Sequence, residues 1–200
     1  MSPSPLLLSL CLALAALPLI ACGDEAGQAE KDAKNAAKNS RNPNNLSRAR
    51  FNNLTPDPQA ATDDLNGDGA PDQWLVRDAQ GTLVRTERDL NFDKKLDVWQ
   101  YFDKAGVLVE EEMDLDLDGR PDVVVHYEAG VVTYKELSLA FDGVFTIFKY
   151  YDAQGELLRV EDDEDRNGKI DRWDYYEKRR MVRTGWDEDG DGSPDRFDNL

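Results

Sequence analysis

An aspartate-rich unit of about 25 residues recurs six times in this sequence and constrains the fold more than any other feature. Successive copies begin 25, 25, 24, 25 and 24 residues apart. A short and nearly fixed period is typical of repeat architectures, in which neighbouring copies bury a shared core because one copy alone is too small to form its own. The copies begin at Asp64, Asp89, Asp114, Ser138, Asp163 and Asp187.

Each copy opens with a nine-residue loop that places short oxygen-bearing side chains at alternate positions. The first to sixth loops are residues 64–72, 89–97, 114–122, 138–146, 163–171 and 187–195. All except the fourth have Asp or Asn at loop positions 1, 3, 5 and 9, and four of these five have glycine at position 6. Ca²⁺ takes six to eight oxygens, and short side chains on a curled loop can converge on it. The candidate metal ligands are Asp64, Asn66, Asp68, Asp72, Asp89, Asn91, Asp93, Asp97, Asp114, Asp116, Asp118, Asp122, Asp163, Asp165, Asn167, Asp171, Asp187, Asp189, Asp191 and Asp195.

Two interpretations of the loops are open. Asp, Asn and Gly are also common in plain polar turns, although a turn alone does not require oxygen atoms at four fixed positions. The calcium interpretation has a physical consequence, because carboxylates placed close together repel one another until a cation neutralises them. It predicts that folding or stiffness depends on the metal and that EGTA changes the circular dichroism and the melting curve.

The loop pattern D-x-[DN]-x-[DN]-G-x-x-D resembles the calcium loops of FG-GAP and VCBS repeats and of thrombospondin type-3 repeats. The segments Asp64–Trp74 and Asp114–Val124 are similar to the FG-GAP form, and the resemblance covers nine to eleven residues of each copy. It implies several bound calcium ions. An EF-hand is excluded because its twelfth position requires a bidentate Glu. That position is occupied here by Leu75, Gln100, Val125, Lys149, Asp174 and Asp198.

The loops carry this pattern to different degrees. The first, third and sixth have four ligands and the turn glycine, so we expect them to be the strongest sites. The fifth has Asn167 in place of a carboxylate, and the second has Lys94 in place of the glycine, so we expect both to be weaker. The fourth has lost all but one ligand. We expect it to hold no calcium, with Phe141, Phe145 and Phe148 packing in its place.

Two short segments rich in β-branched and aromatic residues follow each loop, as is typical of strands joined by a tight turn. In the first copy they are 73–76 and 82–85, and the turn between them is 78–81. Two strands fit in such a period, whereas the four strands of a propeller blade need about 40 residues or more. The sequence therefore predicts an all-β fold, a β-meander or β-solenoid of eleven or twelve short antiparallel strands over residues 61–200. A meander would place every loop on one edge of the sheet.

Aromatic side chains recur at positions 11 and 13 of the copies, which fall on one face of a strand. They include Trp74, Trp99, Tyr101, Tyr150, Trp173 and Tyr175. One interpretation is the packed face of the sheet, since aromatic residues pair well across strands. The other is a platform on which a glycan stacks. His126 occupies the same column, and we expect it to be a packing residue rather than a catalytic base.

The N-terminal residues 1–21 have the pattern of a secretory signal peptide, because Leu6–Ile20 is apolar, uncharged and too short to be a permanent membrane span. The segment Leu19–Cys22 resembles a bacterial lipobox. The resemblance implies a lipid on Cys22, which would anchor the chain firmly in a membrane. With Gly23 next, it implies the outer membrane of the cell envelope. The alternative is an ordinary cleaved signal, since the segment before Leu6 has neither Lys nor Arg.

Residues 22–60 are polar and contain few large apolar side chains, so we expect a flexible linker between the lipid and the repeats. The net charge of −17 argues against a nucleic-acid partner and is compatible with divalent cations. We find no motif for nucleophilic, phosphate or zinc chemistry. We expect a membrane-anchored calcium-binding protein with a structural or adhesive role, not an enzyme. The alternatives are a calcium-stiffened module that binds a cell-surface glycan or protein and, third, a surface hydrolase.

Overall fold

The computed structural model describes residues 55–200, and in these residues it contains twelve β-strands in one antiparallel sheet. The strands are β1 (Ala61–Asp63), β2 (Gln73–Arg77), β3 (Leu83–Arg88), β4 (Val98–Phe102), β5 (Leu108–Met113), β6 (Val123–Glu128), β7 (Val131–Leu137), β8 (Ile147–Tyr151), β9 (Leu157–Asp162), β10 (Arg172–Glu177), β11 (Arg180–Trp186) and β12 (Arg196–Asn199). Within this part of the chain, no helix is long and apolar enough to cross a membrane. The proposed signal peptide 1–21, the lipidation site Cys22 and the linker up to residue 54 lie outside the described residues.

The strands follow one another across the sheet in chain order, so the prediction of an all-β meander is confirmed. Each strand pairs with its neighbours in sequence, and successive connections alternate between the two ends of the strands. The sheet therefore has two long edges formed by strand ends and connections, which are distinct from its edge strands β1 and β12. The six loops therefore all lie along one edge, which we call the loop edge. The tight turns between the strands of each hairpin lie along the opposite edge.

Every complete hairpin repeats the same irregularity of pairing. The register shifts by one residue near the end of each first strand, at Val76/Arg77, Tyr101/Phe102, His126/Tyr127, Tyr150/Tyr151 and Tyr175/Tyr176. Such a bulge increases the local twist of a strand pair. Its recurrence shows that the repeat in sequence is also a repeat in backbone geometry.

On one face of the sheet, directly paired residues form a row that crosses all twelve strands. Position 11 of each copy, on the first strand of a hairpin, alternates in this row with a residue of the hairpin's second strand. Across successive strands the row runs Thr62, Trp74, Glu87, Trp99, Glu112, Val124, Glu136, Phe148, Glu161, Trp173, Gly185 and Phe197. Glycine replaces the glutamate at Gly185, where an added Cβ would lie 2.8 Å from the ring of Phe197. The aromatic column and the glutamates therefore form one packed layer.

Most of the aromatic side chains in the two columns of this face are packed in the structure and are not exposed to solvent. Trp74, Trp99, Trp173 and Tyr150 are buried, and Trp74 and Trp99 form a cluster with Leu96. Stacking of a sugar requires an accessible ring face. The structure thus favours the packed-face interpretation and leaves the proposed glycan platform with only the partly buried Tyr101 and Tyr175.

Two buried glutamates of the same face, Glu87 and Glu161, form ion pairs with an arginine two residues earlier in the same strand. Arg85 Nε lies 2.7 Å from Glu87 Oε1, and Arg159 Nη2 lies 2.9 Å from Glu161 Oε1. The hydroxyl of Tyr150 also donates to Glu161 at 2.9 Å. A buried carboxylate needs such partners because desolvation of a lone charge is costly. The sequence analysis did not predict this burial.

The last residues of the predicted linker contact the sheet. The backbone N–H of Asp57 donates to Glu87 Oε2 at 3.2 Å, and Ala60 packs against the cluster of Trp74, Leu96 and Trp99. Asp57 and Ala60 therefore contact the sheet, and both lie within the segment up to residue 60 whose polar composition predicts a flexible linker.

Candidate metal centre

All six loops follow the same backbone path. Positions 4 and 6 have a positive φ in every copy, including Leu117 at 68° and Gly119 at 94° in the third loop. Position 6 was anticipated from its glycines. Position 4 was not, because it holds Gly67, Phe92, Leu117, Phe141, Arg166 and Gly190, and only two of these favour a left-handed conformation. In the second loop Lys94 adopts φ 74°, which is the strained turn that its missing glycine predicted.

The aspartate at position 1 holds the curl of its loop by accepting backbone N–H groups. In the third loop, Asp114 Oδ1 accepts from Leu117 N at 2.7 Å, and Oδ2 accepts from Gly119 N at 2.6 Å. The same pattern recurs at Asp64 and Asp187. The left-handed residues at positions 4 and 6 turn these N–H groups toward the carboxylate.

The aspartate at position 9 closes the loop with only one of its two oxygens. In the third loop, Asp122 Oδ2 accepts from Leu115 N at 2.8 Å and from Asp116 N at 3.4 Å. Asp122 is 1% exposed, and its Oδ1 has no hydrogen-bond partner. Asp97 of the second loop repeats this arrangement at 2% exposure, with its Oδ1 equally without a partner. A buried anionic oxygen without a partner is expensive, so these two atoms require an explanation.

Three groups of carboxylates among the described residues are close enough to hold one ion. Each consists of the aspartates at positions 1, 3 and 9, with one oxygen from each residue lying within 4.8 Å of the others. The groups are Asp114, Asp116 and Asp122 in the third loop, Asp163, Asp165 and Asp171 in the fifth, and Asp187, Asp189 and Asp195 in the sixth. The structure therefore contains oxygen clusters suited to a metal ion, in agreement with the predicted ligand spacing.

The position 5 side chains lie outside these clusters. Asp118 accepts from the backbone N–H of Arg120 at 2.9 Å and forms an ion pair with its guanidinium at 2.5 Å. The fifth loop, which we expected to be weaker because of Asn167 at position 5, has a complete cluster of three carboxylates. In the first loop position 3 is Asn66, which would contribute an amide oxygen in place of a carboxylate.

Burial shifts the acidity of the enclosed carboxylates. It raises the pKa of both Asp97 and Asp114, and the backbone N–H groups that donate to them offset the rise only in part. Nearby aspartates of the same loop push in the same direction as burial. In contrast, N–H groups from Gly69 and Gly67 lower the pKa of the exposed Asp64. The inner carboxylates of the second and third loops therefore carry charge that the protein does not fully stabilise.

The fourth loop contains protein cations instead of a carboxylate cluster. Asp142 forms an ion pair with Arg166 of the fifth loop, and Arg120 of the third loop donates to the carbonyl of Asp142 at 3.4 Å. Ser138 and Asp142 also hydrogen-bond each other at 3.3 Å. The predicted packing of phenylalanines is confirmed for Phe148, which stacks near Tyr134. It is wrong for Phe141, which is exposed because position 4 points away from the sheet.

Neighbouring loops are joined by backbone hydrogen bonds. The position 9 carbonyl of one loop accepts from the position 1 N–H of the next, as in Asp114 N to Asp97 O at 2.8 Å and Ser138 N to Asp122 O at 2.7 Å. The residues that would bind an ion in one loop therefore position the first ligand of the following loop.

Comparisons with known proteins give no family for this chain. No protein-family model matches it, and no curated protein matches it. Solved structures with similarity include accessory secretory protein 1, 2 and 3 of Streptococcus pneumoniae, at 15% identity, 66% coverage of this chain, 21% coverage of that chain and a TM-score of 0.33. A mutant of S. aureus TarM in complex with fondaparinux, α-GlcNAc-glycerol and UDP has 12% identity, coverages of 56% and 21%, and a TM-score of 0.40.

A GtfA/B complex bound to UDP and GlcNAc has 16% identity, coverages of 68% and 26%, and a TM-score of 0.30. This chain thus spans about a quarter or less of each of these chains. Similarity at this level carries no argument about function, so the candidate site rests on its own geometry.

Proposed function

We propose that this protein is a lipid-anchored calcium-binding protein of the bacterial cell envelope, in which calcium stiffens a repeat sheet with a structural or adhesive role. The calcium assignment is based on the state of one atom, Oδ1 of Asp122. This atom is buried and has no hydrogen-bond partner, and its residue, Asp122, belongs to a cluster of three carboxylates. A cation in that cluster would supply the missing partner. In the second loop a cation would do the same for Asp97 Oδ1, which is also buried without a partner.

The donor set favours calcium over other cations. The ligands are carboxylate and amide oxygens, which suit hard cations, and no thiol or imidazole lies among them. Mg²⁺ requires near-ideal octahedral geometry and keeps several waters, whereas Ca²⁺ accepts irregular sets of six to eight oxygens. A nine-residue loop with ligands at alternate positions provides such an irregular set. Repetition of the cluster along the sheet also favours a structural cation over a single catalytic acid–base pair.

Titration calorimetry of the full chain tests the calcium assignment. We expect several equivalents of Ca²⁺ to bind, and Mg²⁺ to bind more weakly. Asp116→Ala removes one clustered carboxylate and should lower the stoichiometry by one, whereas Asp142→Ala, at position 5 of the fourth loop, should leave it unchanged. Absence of heat on adding Ca²⁺ would exclude the assignment.

The lipid anchor rests on the sequence of Leu19–Cys22 and is tested separately. Expression of the full chain in a Gram-negative host with labelled palmitate should label the protein and place it in the outer-membrane fraction. Cys22→Ser should abolish the label and release the protein from membranes. An unlabelled wild-type chain would point to an ordinary cleaved signal peptide.

A further inference from the structure

Exposed apolar side chains project from the loop edge at regular intervals. The leucines at position 2 of the first four loops, Leu65, Leu90, Leu115 and Leu139, are 55%, 55%, 56% and 62% exposed. Position 4 adds three more exposed apolar residues, Phe92, Leu117 and Phe141. We call these seven residues the apolar strip. Seven exposed apolar residues in one region exceed the singly scattered ones that are normal on a soluble domain, so the apolar strip is a candidate interaction site.

The strip is confined to one part of the loop edge. The fifth and sixth loops have Glu164 and Glu188 at position 2, and these form ion pairs with Arg172 and Arg196, the latter at 2.7 Å. The same loop position is therefore apolar and exposed in four copies but charged and paired in two. Because the backbone path is common to all six loops, the backbone does not account for this difference.

The loops of the strip leave a bound cation open to external ligands. One loop offers the side chains at positions 1, 3 and 9, and in calcium loops of this kind a backbone carbonyl at position 7 adds one more oxygen. Calcium takes six to eight oxygens, and the bidentate Glu that completes an EF-hand is replaced by Leu75, Gln100 and Val125 in the first three copies. The remaining ligands must come from water or from an anionic group of a partner.

Charge makes the approach of an anionic surface dependent on calcium. The first three loops contain ten aspartates and only three cationic residues, Lys94, Lys95 and Arg120. Without metal this part of the loop edge repels anionic groups. One calcium ion in each of the three loops cancels nearly all of the excess negative charge, and each ion then attracts an external phosphate oxygen.

From these observations, and on the basis of the proposed calcium sites, we infer that the first four loops dock on the surface of an anionic lipid bilayer in the presence of calcium. The apolar strip enters the interfacial region while the loop cations bind lipid phosphates. A lipid surface suits the geometry better than a protein groove does. The apolar side chains stand on separate loops, about two strand spacings or 10 Å apart, with carboxylates between them. Lipids rearrange around such separate side chains, whereas a protein partner would need a matching row of pockets.

Fluorescence quenching by lipids tests this inference on the full chain. Leu115→Trp places a new indole in the apolar strip. The emission of the parent chain is subtracted, since it has four tryptophans, of which Trp74, Trp99 and Trp173 are buried and Trp186 is partly buried. The protein is reconstituted with brominated phosphatidylcholine vesicles, either pure or containing phosphatidylglycerol. Lys104→Trp is the matched control, since Lys104 lies in the exposed turn on the opposite edge of the sheet.

We expect calcium to quench the added emission of Leu115→Trp about twofold on vesicles with phosphatidylglycerol, because interfacial side chains lie about 5–10 Å into the headgroup and acyl boundary. EGTA, or vesicles of phosphatidylcholine alone, should give little quenching. Lys104→Trp should not respond in any condition. Adding Leu90→Ser to Leu115→Trp should reduce the quenching and leave the calorimetric calcium stoichiometry unchanged.

The outcomes separate this inference from the proposed function. Normal calcium binding without lipid-dependent quenching would overturn lipid docking and leave the calcium sites in place. Calcium-dependent growth of the protein's sedimentation coefficient without vesicles, together with absence of quenching, would assign the strip to protein contacts and overturn the inference. Failure of calcium to bind at all would remove both proposals.

Discussion

The third and fourth loops share one backbone path but differ in nearly every polar group. Positions 4 and 6 have a positive φ in both, at Leu117 and Gly119 in the third and at Phe141 and Gly143 in the fourth. The cluster positions 1, 3 and 9, however, are Asp114, Asp116 and Asp122 in the third loop and Ser138, Ala140 and Thr146 in the fourth. The fourth loop keeps its curl with the Ser138 hydroxyl, which accepts from Asp142 N at 3.3 Å, where the third loop uses the two oxygens of Asp114. Closing the curl therefore does not require three carboxylates, and their clustering in the third loop is compatible with a cation site.

The two loops also differ in how their charges are satisfied. The fourth loop uses protein cations, since Arg166 and Arg120 both reach Asp142. The third loop leaves Oδ1 of Asp122 buried without a partner. If a metal ion is the missing partner, the third loop should respond to its removal much more strongly than the fourth, which is linked to it only through the bond from Ser138 N to Asp122 O.

Calcium removal is the perturbation with the largest expected effect. Each occupied site stabilises the folded state by about 2.7 kcal/mol when free calcium is 100 times its dissociation constant. Several sites together therefore exceed any single substitution. We expect EGTA to lower the melting temperature strongly in scanning calorimetry and to speed hydrogen exchange of the backbone amides in 114–122 far more than in 138–146. Equal acceleration in both loops would mean that calcium acts on the sheet as a whole.

Titration of His126 has the next largest expected effect on the free energy of unfolding. We expect it to change the stability of the third and fourth loops equally. His126 lies on β6 after the third loop, and its ring nitrogens lie 3.1 Å from Glu110 Oε2 and 2.9 Å from Glu136 Oε1. Burial lowers the pKa of His126, but the two glutamates outweigh it and raise the pKa from 6.5 to about 9. The folded state therefore holds the proton more tightly than the unfolded state does. The resulting stability is full below pH 6.5 and is lost as the pH rises through 9.

Urea unfolding measured across this pH range at constant calcium should show a loss of about 3 kcal/mol. His126→Gln should remove the slope, because no other histidine is present in the sequence. Hydrogen exchange should accelerate on both sides of the β6–β7 pair, in contrast to the selective effect of EGTA. A wild-type profile that is flat from pH 6.5 to 9 would contradict the role of the Glu–His–Glu contact.

Asp122→Asn makes the third loop resemble the fourth in one respect, because it removes the negative charge at position 9. The amide oxygen can still accept from Leu115 N and Asp116 N, so the loop should keep its shape, while the buried negative charge disappears. In EGTA the variant should be as stable as the wild type to within about 1 kcal/mol. In saturating calcium it should be less stable by about 2.7 kcal/mol, the contribution of one site.

The matched control is Asp152→Asn in a tight turn at the opposite edge. Asp152 Oδ1 likewise accepts two backbone N–H groups, from Gln154 and Glu156, both at 2.9 Å, but belongs to none of the three carboxylate clusters in the described residues. It should change stability by about 0.5 kcal/mol or less with or without calcium. A deficit for Asp122→Asn that is equal in calcium and in EGTA would show that the carboxylate only closes the loop.

The sequence predicted the architecture well because the repeat encodes it locally. Each copy alternates a polar loop, a short strand, a tight turn and a second strand, and this order is compatible with only a meander or a solenoid. The bounds of β2 and β3 follow the predicted segments closely. Burial of Glu87 and Glu161 was not predictable from one copy, since it depends on arginine partners and on aromatic neighbours across strands. Long-range contacts between copies carry information that the period alone does not.

The candidate site was predicted in part for a related reason. Ligand spacing correctly brought positions 1, 3 and 9 together in three loops. It did not show that Arg120 would engage Asp118, or that Arg166 would cross to Asp142 of the preceding loop. Each arginine contact depends on side-chain reach between residues that the loop pattern leaves unspecified. The clustering of the carboxylates was therefore predictable from the pattern, whereas the arginine contacts were not.

Lys94→Gly gives the smallest effect and separates backbone strain from metal binding in the second loop. Lys94 adopts φ 74°, where a side chain costs about 1–2 kcal/mol, whereas glycine adopts it freely. Because glycine also gains entropy in the unfolded chain, the net stabilisation should be about 0.5–1 kcal/mol by urea unfolding in EGTA. Lys95→Gly removes the same charge from the neighbouring residue without relieving a positive φ, so it should not stabilise. If both variants raise calcium affinity equally but only Lys94→Gly raises stability in EGTA, charge governs the affinity of this loop and strain governs its folding. Equal stability of the two variants would contradict the strain assigned to Lys94.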